Sequence, residues 1–237
     1  MIVQTKGVVL HSLKFQENSL IVHLYTADHG PQQYMVRNAF SSSKTALKAS
    51  YFQPLQILEF TASFKNKGTL EYFKEVRLHP PLQALYTDPF KQMQTLFLAE
   101  TLHELLRHEG PQPELFDLVE AAILWIDTHQ NPVNAPLFLL LELTKYLGFY
   151  PEIEFIAAPF FDLREGRFLH EITPNTLSIE QSNLFKLLLQ GRSFDMDEPT
   201  NGLQRREGLD LVLRYYTLHR EGFKTPKSLE VLSSLFR

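Results

Sequence analysis

Apolar positions recur about every second place along residues 1–80, and beyond His79-Pro80-Pro81 they recur about every 3.6. The first pattern predicts strands at residues 2–13, 20–26, 33–37, 55–63 and 70–77, which mix β-branched and aromatic side chains. Turn formers lie between them: Gln16-Glu17-Asn18-Ser19, Ala27-Asp28-His29-Gly30-Pro31 and Asn66-Lys67-Gly68, where Asn and Gly accept the positive φ of tight hairpins. Five short strands joined this way predict a small closed barrel of the oligonucleotide/oligosaccharide-binding (OB) type, which removes its own edges. An open meander or an SH3-like barrel satisfies the same alternation. The longest break, residues 39–50, joins the third strand to the fourth, and loops of that length in a compact domain often carry function.

The double proline ends the last strand and cannot open mid-helix, so it marks a boundary between domains at 1–80 and 81–237. Asp88 is a natural cap for a helix that begins at Pro89 and stops at Gly110-Pro111. Further helices are predicted at 114–129, at 135–147 with Gly148 as the stop, and at 178–190, 203–220 and 227–236. Residues 160–169 break the helical run with two apolar pairs around Glu165-Gly166, the pattern of a lone hairpin. The fold class is therefore α+β and multidomain: an N-terminal five-stranded barrel, then a mainly helical domain with a small hairpin insertion.

At 237 residues and 44% hydrophobic, the chain has enough apolar material for a real core. Its longest apolar stretch, near 135–143, falls far short of the ~20 residues of a membrane span. The start Met-Ile-Val-Gln-Thr-Lys lacks the features of a signal peptide, so no export is expected. The absence of cysteine excludes disulfides, thiolate nucleophiles and cysteine-bound zinc, and fits a reducing cytoplasm. Net charge is −4, but residues 1–80 hold nine Lys/Arg against five Asp/Glu (+4), while the remainder holds fourteen against twenty-two (−8). A basic head is joined to an acidic body.

Catalytic patterns are missing. His103 and His108 are five residues apart, whereas a zinc helix needs four; the extra residue turns the second imidazole about 140° off the shared face, so both read as ordinary surface or half-buried histidines. The chain carries no nucleophile elbow, phosphate-cradling glycine loop or dinucleotide fingerprint. Neither an enzyme nor a cofactor is expected. The basic residues point elsewhere: Lys6, Lys14, Arg37, Lys44, Lys48, Lys65, Lys67, Lys74 and Arg77 alternate with Phe15, Tyr34, Phe40, Tyr51, Phe52, Phe64 and Tyr72 in a domain suited to single strands. Cations neutralise phosphates, and exposed rings stack on bases whatever their identity. The candidate DNA contacts are Lys6, Lys14, Tyr34, Arg37, Phe40, Lys44, Lys48, Lys65, Lys67 and Lys74. With no rigid array to read base edges, binding is expected to be independent of sequence.

The order of segments resembles the RecO family over nearly the whole chain. The resemblance rests on Thr5-Lys6-Gly7-Val8-Val9-Leu10-His11, Glu17-Asn18-Ser19-Leu20-Ile21-Val22, Leu24-Tyr25-Thr26, His29-Gly30, Phe52-Gln53-Pro54-Leu55, Phe97-Leu98-Ala99-Glu100 and Trp125-Ile126-Asp127. It continues through Leu147-Gly148-Phe149-Tyr150-Pro151, Gly222-Phe223 and Lys227-Ser228-Leu229-Glu230-Val231-Leu232. The resemblance implies an OB-fold domain followed by a helical one, in a cytoplasmic, nucleoid-associated DNA repair factor. Such a factor binds single- and double-stranded DNA, anneals complementary strands and works with RecR to load the RecA recombinase on strands covered by single-stranded-DNA-binding protein (SSB). The alternative is a protein-binding adaptor that keeps the barrel without DNA affinity.

One departure stands out. Many members of the family carry a four-cysteine zinc module after the segment matching 148–151, whereas here the chain runs Glu152-Ile153-Glu154-Phe155-Ile156-Ala157-Ala158-Pro159 into the predicted hairpin. No zinc is carried over, since His170 alone cannot make a tetrahedral site, and the hairpin's apolar pairs are expected to take over the packing. The resemblance also implies that the acidic, Phe-ending tail of SSB docks on the helical domain. Candidates for that site are Arg205, Arg206, Arg214 and Arg220 beside Tyr215, Tyr216 and Phe223, although Arg206 and Arg214 are also spaced to pair with Asp210.

Overall fold

The computed structural model describes residues 1–41, 47–65, 70–191, 193–194 and 201–233. The chain forms two compact units, Met1–Thr128 and His129–Arg237.

In the first unit, strands β1 (Ile2–Phe15), β2 (Ser19–Thr26), β3 (Gly30–Val36), β4 (Ile57–Ser63) and β5 (Glu71–Leu78) close into a barrel in the order β1-β2-β3-β5-β4. This is the OB arrangement, and closure removes the open meander. Neighbours are antiparallel except β3 and β5, which run parallel. β1 serves two partners, with Ile2 to Val8 facing β4 and Gly7 onward facing β2; a register shift between Val9 and His11 supplies the bend. Glycine is needed near that point, because a Cβ on Gly7 would sit 3.1 Å from the Phe60 ring and 3.3 Å from Leu24. The inward face carries Val9, Leu24, Tyr34, Val36, Phe52, Leu58 and Phe60. A short 3-10 turn at Ala49–Phe52, not foreseen from the pattern, brings Phe52 into this core.

Helices α1 (Ala84–Thr87), α2 (Pro89–Leu106) and α3 (Pro113–Thr128) belong to the same unit. Asp88 caps α2 as expected, accepting from the N–H groups of Phe90 (2.8 Å) and Lys91 (3.3 Å), with Pro89 following. The barrel and the helices are joined by polar ties. Tyr25 donates to the Gly110 carbonyl (3.0 Å), and Lys6 Nζ lies 3.0 Å from Glu120. Gly30, at φ +62°, approaches Gly110 and Pro111 so closely that a Cβ there would lie 3.0 Å from their backbone.

The second unit holds α4 (Ala135–Tyr146), the hairpin β6 (Phe160–Asp162) and β7 (Arg167–Leu169), α5 (Ile179–Gln190), α6 (Gly202–His219) and α7 (Leu229–Ser233). Gly148, at φ +83°, ends α4 as read from sequence. The hairpin sits on the helices through aromatic packing: Phe161 stacks on Phe185 at 4.3 Å, and Phe168 lies 4.9 Å from Phe161. The Phe161 N–H donates to buried Ser182 (2.9 Å). Tyr216 donates to the Leu140 carbonyl (2.7 Å) and so ties α6 to α4. The predicted helix over 227–236 begins two residues later than expected, and residues 234–237 lie outside the described part.

Candidate nucleic-acid interface

Barrel register gathers the basic and aromatic residues at one rim. Lys14 on β1 pairs with Leu20 on β2, Leu20 pairs with Val36 on β3, and the neighbouring Met35 pairs with Tyr72 on β5. The end of β1, the start of β2, the end of β3 and the start of β5 therefore meet, and they carry Lys14, Phe15, Arg37, Phe40 and Tyr72. Two cation–aromatic pairs form there. Lys14 Nζ sits 5.5 Å from the Phe40 ring centre, and the Arg37 guanidinium lies 4.9 Å over Tyr72 and donates to its hydroxyl (3.2 Å). The rings remain accessible, with Phe15 37%, Tyr72 38% and Phe40 48% exposed. Cation–ring contacts of this exposed kind contribute about 0.5–1 kcal/mol each, enough to orient the side chains while leaving them free to exchange partners.

The other expected contacts fall differently. Tyr34 is a correction: it is fully buried, stacked on Phe73 at 4.4 Å, and its burial beside Glu71 pushes the phenol well above its ordinary range. It is core, as its place two residues from inward-facing Val36 should have indicated. Lys6 is engaged with Glu120 away from the rim. Lys48 is half-buried and donates to the Ser41 carbonyl (2.7 Å), which holds the described part of the 39–50 loop against itself. Lys65, Lys74 and Arg77 are exposed, and Arg77 lies 3.8 Å from Glu59. Lys44 and Lys67 fall outside the described residues.

In the second unit, Arg206 and Arg214 are exposed on α6, whereas Arg205 and Arg220 are half-buried. Among the described residues no ion pair joins Asp210 to Arg206 or Arg214. Tyr215 is a second correction. It is 1% exposed and donates to the Phe149 carbonyl (2.9 Å), so it holds the aromatic core and is not a docking surface.

Sequence reasoning missed a cluster of three imidazoles. His11, His23 and His103 come from β1, β2 and α2, with ring centres 5.0 to 5.8 Å apart. Their separation along the chain hides them; the only legible signal was His11 and His23 falling opposite one another across a predicted hairpin. Among the described residues no group of three His, Asp or Glu is arranged to hold a metal ion, and no helix is long and apolar enough to cross a membrane.

Comparison with known proteins settles the kinship. Residues 1–81 match the family model described as Recombination protein O N terminal, and residues 86–229 match Recombination protein O C terminal. The chain belongs to the RecO family. The proteins named DNA repair protein RecO from Flavobacterium johnsoniae and Flavobacterium psychrophilum are each 44% identical to it, over 236 and 239 residues, and the alignments span all of both chains. The protein of the same name from Bacteroides fragilis is 33% identical over 246 residues, again along the full length of both. In this RecO chain the OB barrel corresponds to the N-terminal family segment, and helices α2 to α6 with the hairpin fall in the C-terminal one.

Proposed function

We propose that the chain is a non-catalytic recombination mediator of DNA repair. In this reading it binds single- and double-stranded DNA without sequence preference, anneals complementary strands and, with RecR, helps to load RecA on SSB-coated DNA. Support for the repair role comes from membership of a family whose relatives carry that name. The observation that carries the DNA-binding part is the rim on which Lys14–Phe40 and Arg37–Tyr72 lie side by side. Phosphates exchange with the rings for the cations, and bases stack on the rings that are freed. Neutralising phosphates on two strands lowers their mutual repulsion, which favours annealing without any chemical step. Exposed Arg206 and Arg214 on α6 offer guanidiniums to the acidic tail of SSB.

The test is fluorescence anisotropy of a labelled oligo-dT across a salt series. For single strands, log K falls with log salt by about 0.7 per neutralised phosphate, so Lys14→Ala with Arg37→Ala should flatten the slope by about 1.4. Phe40→Ala or Tyr72→Ala should weaken binding about 5- to 100-fold at an unchanged slope, as expected for lost stacking. A folded wild type that binds no DNA at low salt would overturn this reading and leave the adaptor.

A further inference from the structure

Three imidazoles from three elements meet on the β1–β2 face of the barrel, where α2 lies. His11 and His23 are register partners, their ring centres 5.8 Å apart, and His103 reaches both from α2 at 5.2 and 5.0 Å. His103 Nε2 and His23 Nδ1 are 3.2 Å apart. In that contact one nitrogen must donate and the other accept, so a proton on the accepting nitrogen makes both donors and abolishes the bond. His11 is exposed and the other two are half-buried, so protons can reach the cluster.

β3 places uncharged Gln33 opposite His23. On α2 itself, Glu100 lies about one turn before His103 and Arg107 one turn after, with Arg107 3.0 Å from Glu104. Burial first, then His23, His11 and Arg107, push the His103 pKa down to about 4; burial and His11 also lower that of His23. The ligand this geometry answers to is the proton, since protonation of the accepting nitrogen abolishes the His103–His23 bond.

We propose that His11, His23 and His103 form a proton-sensitive clasp: neutral, they tie the β1–β2 face to α2, and protonated, they repel one another and release it. The folded pKa of His103 lies below the ordinary 6.5, so the unfolded or released form binds more protons. The clasp's contribution is therefore complete above about pH 6.5 and is lost as pH falls from there toward about 4.

Thermal unfolding of the full-length protein between about pH 8 and pH 4.5, with amide exchange corrected for intrinsic rates, tests this. Wild type should hold its Tm above about pH 7 and lose about 5 °C or more below pH 6, with protection in the second half of α2 lost before that of β4 and β5. His103→Gln should flatten the pH dependence. His11→Gln, on the exposed ring, should leave the fold intact and make the fall shallower, because His103 and His23 lose one repelling charge. Folded variants with the wild-type pH dependence would overturn the clasp, as would loss of protection in α2, β4 and β5 together. Stabilisation by zinc that disappears in His103→Gln would also overturn it, by making a metal the ligand.

Discussion

Asp162 is 1% exposed yet held ionised. Burial opposes its charge, but donation from the Thr173 hydroxyl and from the N–H groups of Glu165 and Arg164, helped by the Arg167 charge, outweighs that cost and lowers its pKa. This carboxylate closes the β6–β7 turn, so one acidic side chain helps to organise the hairpin. Asp162→Ala removes the acceptor for three part-buried donors and should cost about 2–3 kcal/mol, since groups left unsatisfied bear their desolvation penalty. Calorimetry should find the Tm lowered by roughly 5–10 °C at neutral pH. A depressed carboxyl pKa contributes stability above its unfolded value, so the gap between wild type and variant should close as pH falls below about 4. A gap that persists at low pH would mean that the side chain acts by packing alone.

At the scale of elements, what could be read from sequence followed from repetition. The five strands alternate, so their ends fall within three residues of those predicted, and Asp88 and Gly148 announced helix ends through cap chemistry. The two unforeseen pieces, Ala49–Phe52 and Ala84–Thr87, are single turns of four residues, too short to show a period. Side-chain placement was less legible. Basic residues of a barrel look the same in sequence whether they face solvent, as Arg37 does, or an acidic helix, as Lys6 does. His11 and His103 stand 92 places apart, which no local pattern connects. The Asp88 cap makes the element-scale reading testable. Asp88→Ala should cost about 1 kcal/mol, seen as a lower urea midpoint with unchanged slope, since α2 loses an end and not its packing. A changed slope would show that α2 no longer forms.

Charge looks different when it is summed by compact unit. The sequence divides into a +4 head and a −8 remainder, but Met1–Thr128 holds eleven Lys/Arg against thirteen Asp/Glu and His129–Arg237 holds twelve against fourteen, so each unit carries −2. The acidic residues on α2 and α3 thus offset the basic barrel within one unit, and the ion pair of Lys6 with Glu120 is the point where this happens by contact. Lys6 is 41% exposed and Glu120 only 15%, so the lysine would face solvent if its partner were neutral. Glu120→Gln should therefore free one cation for phosphate: oligo-dT binding should tighten at low salt, and the log K against log salt slope should steepen by about 0.7. Lys6→Ala in the wild-type background should change DNA binding little, because that charge is already committed, yet in the Glu120→Gln background it should erase the gain. If Glu120→Gln leaves the slope unchanged, DNA never comes within reach of Lys6 and the rim bearing Lys14, Arg37, Phe40 and Tyr72 bounds the interface on that side.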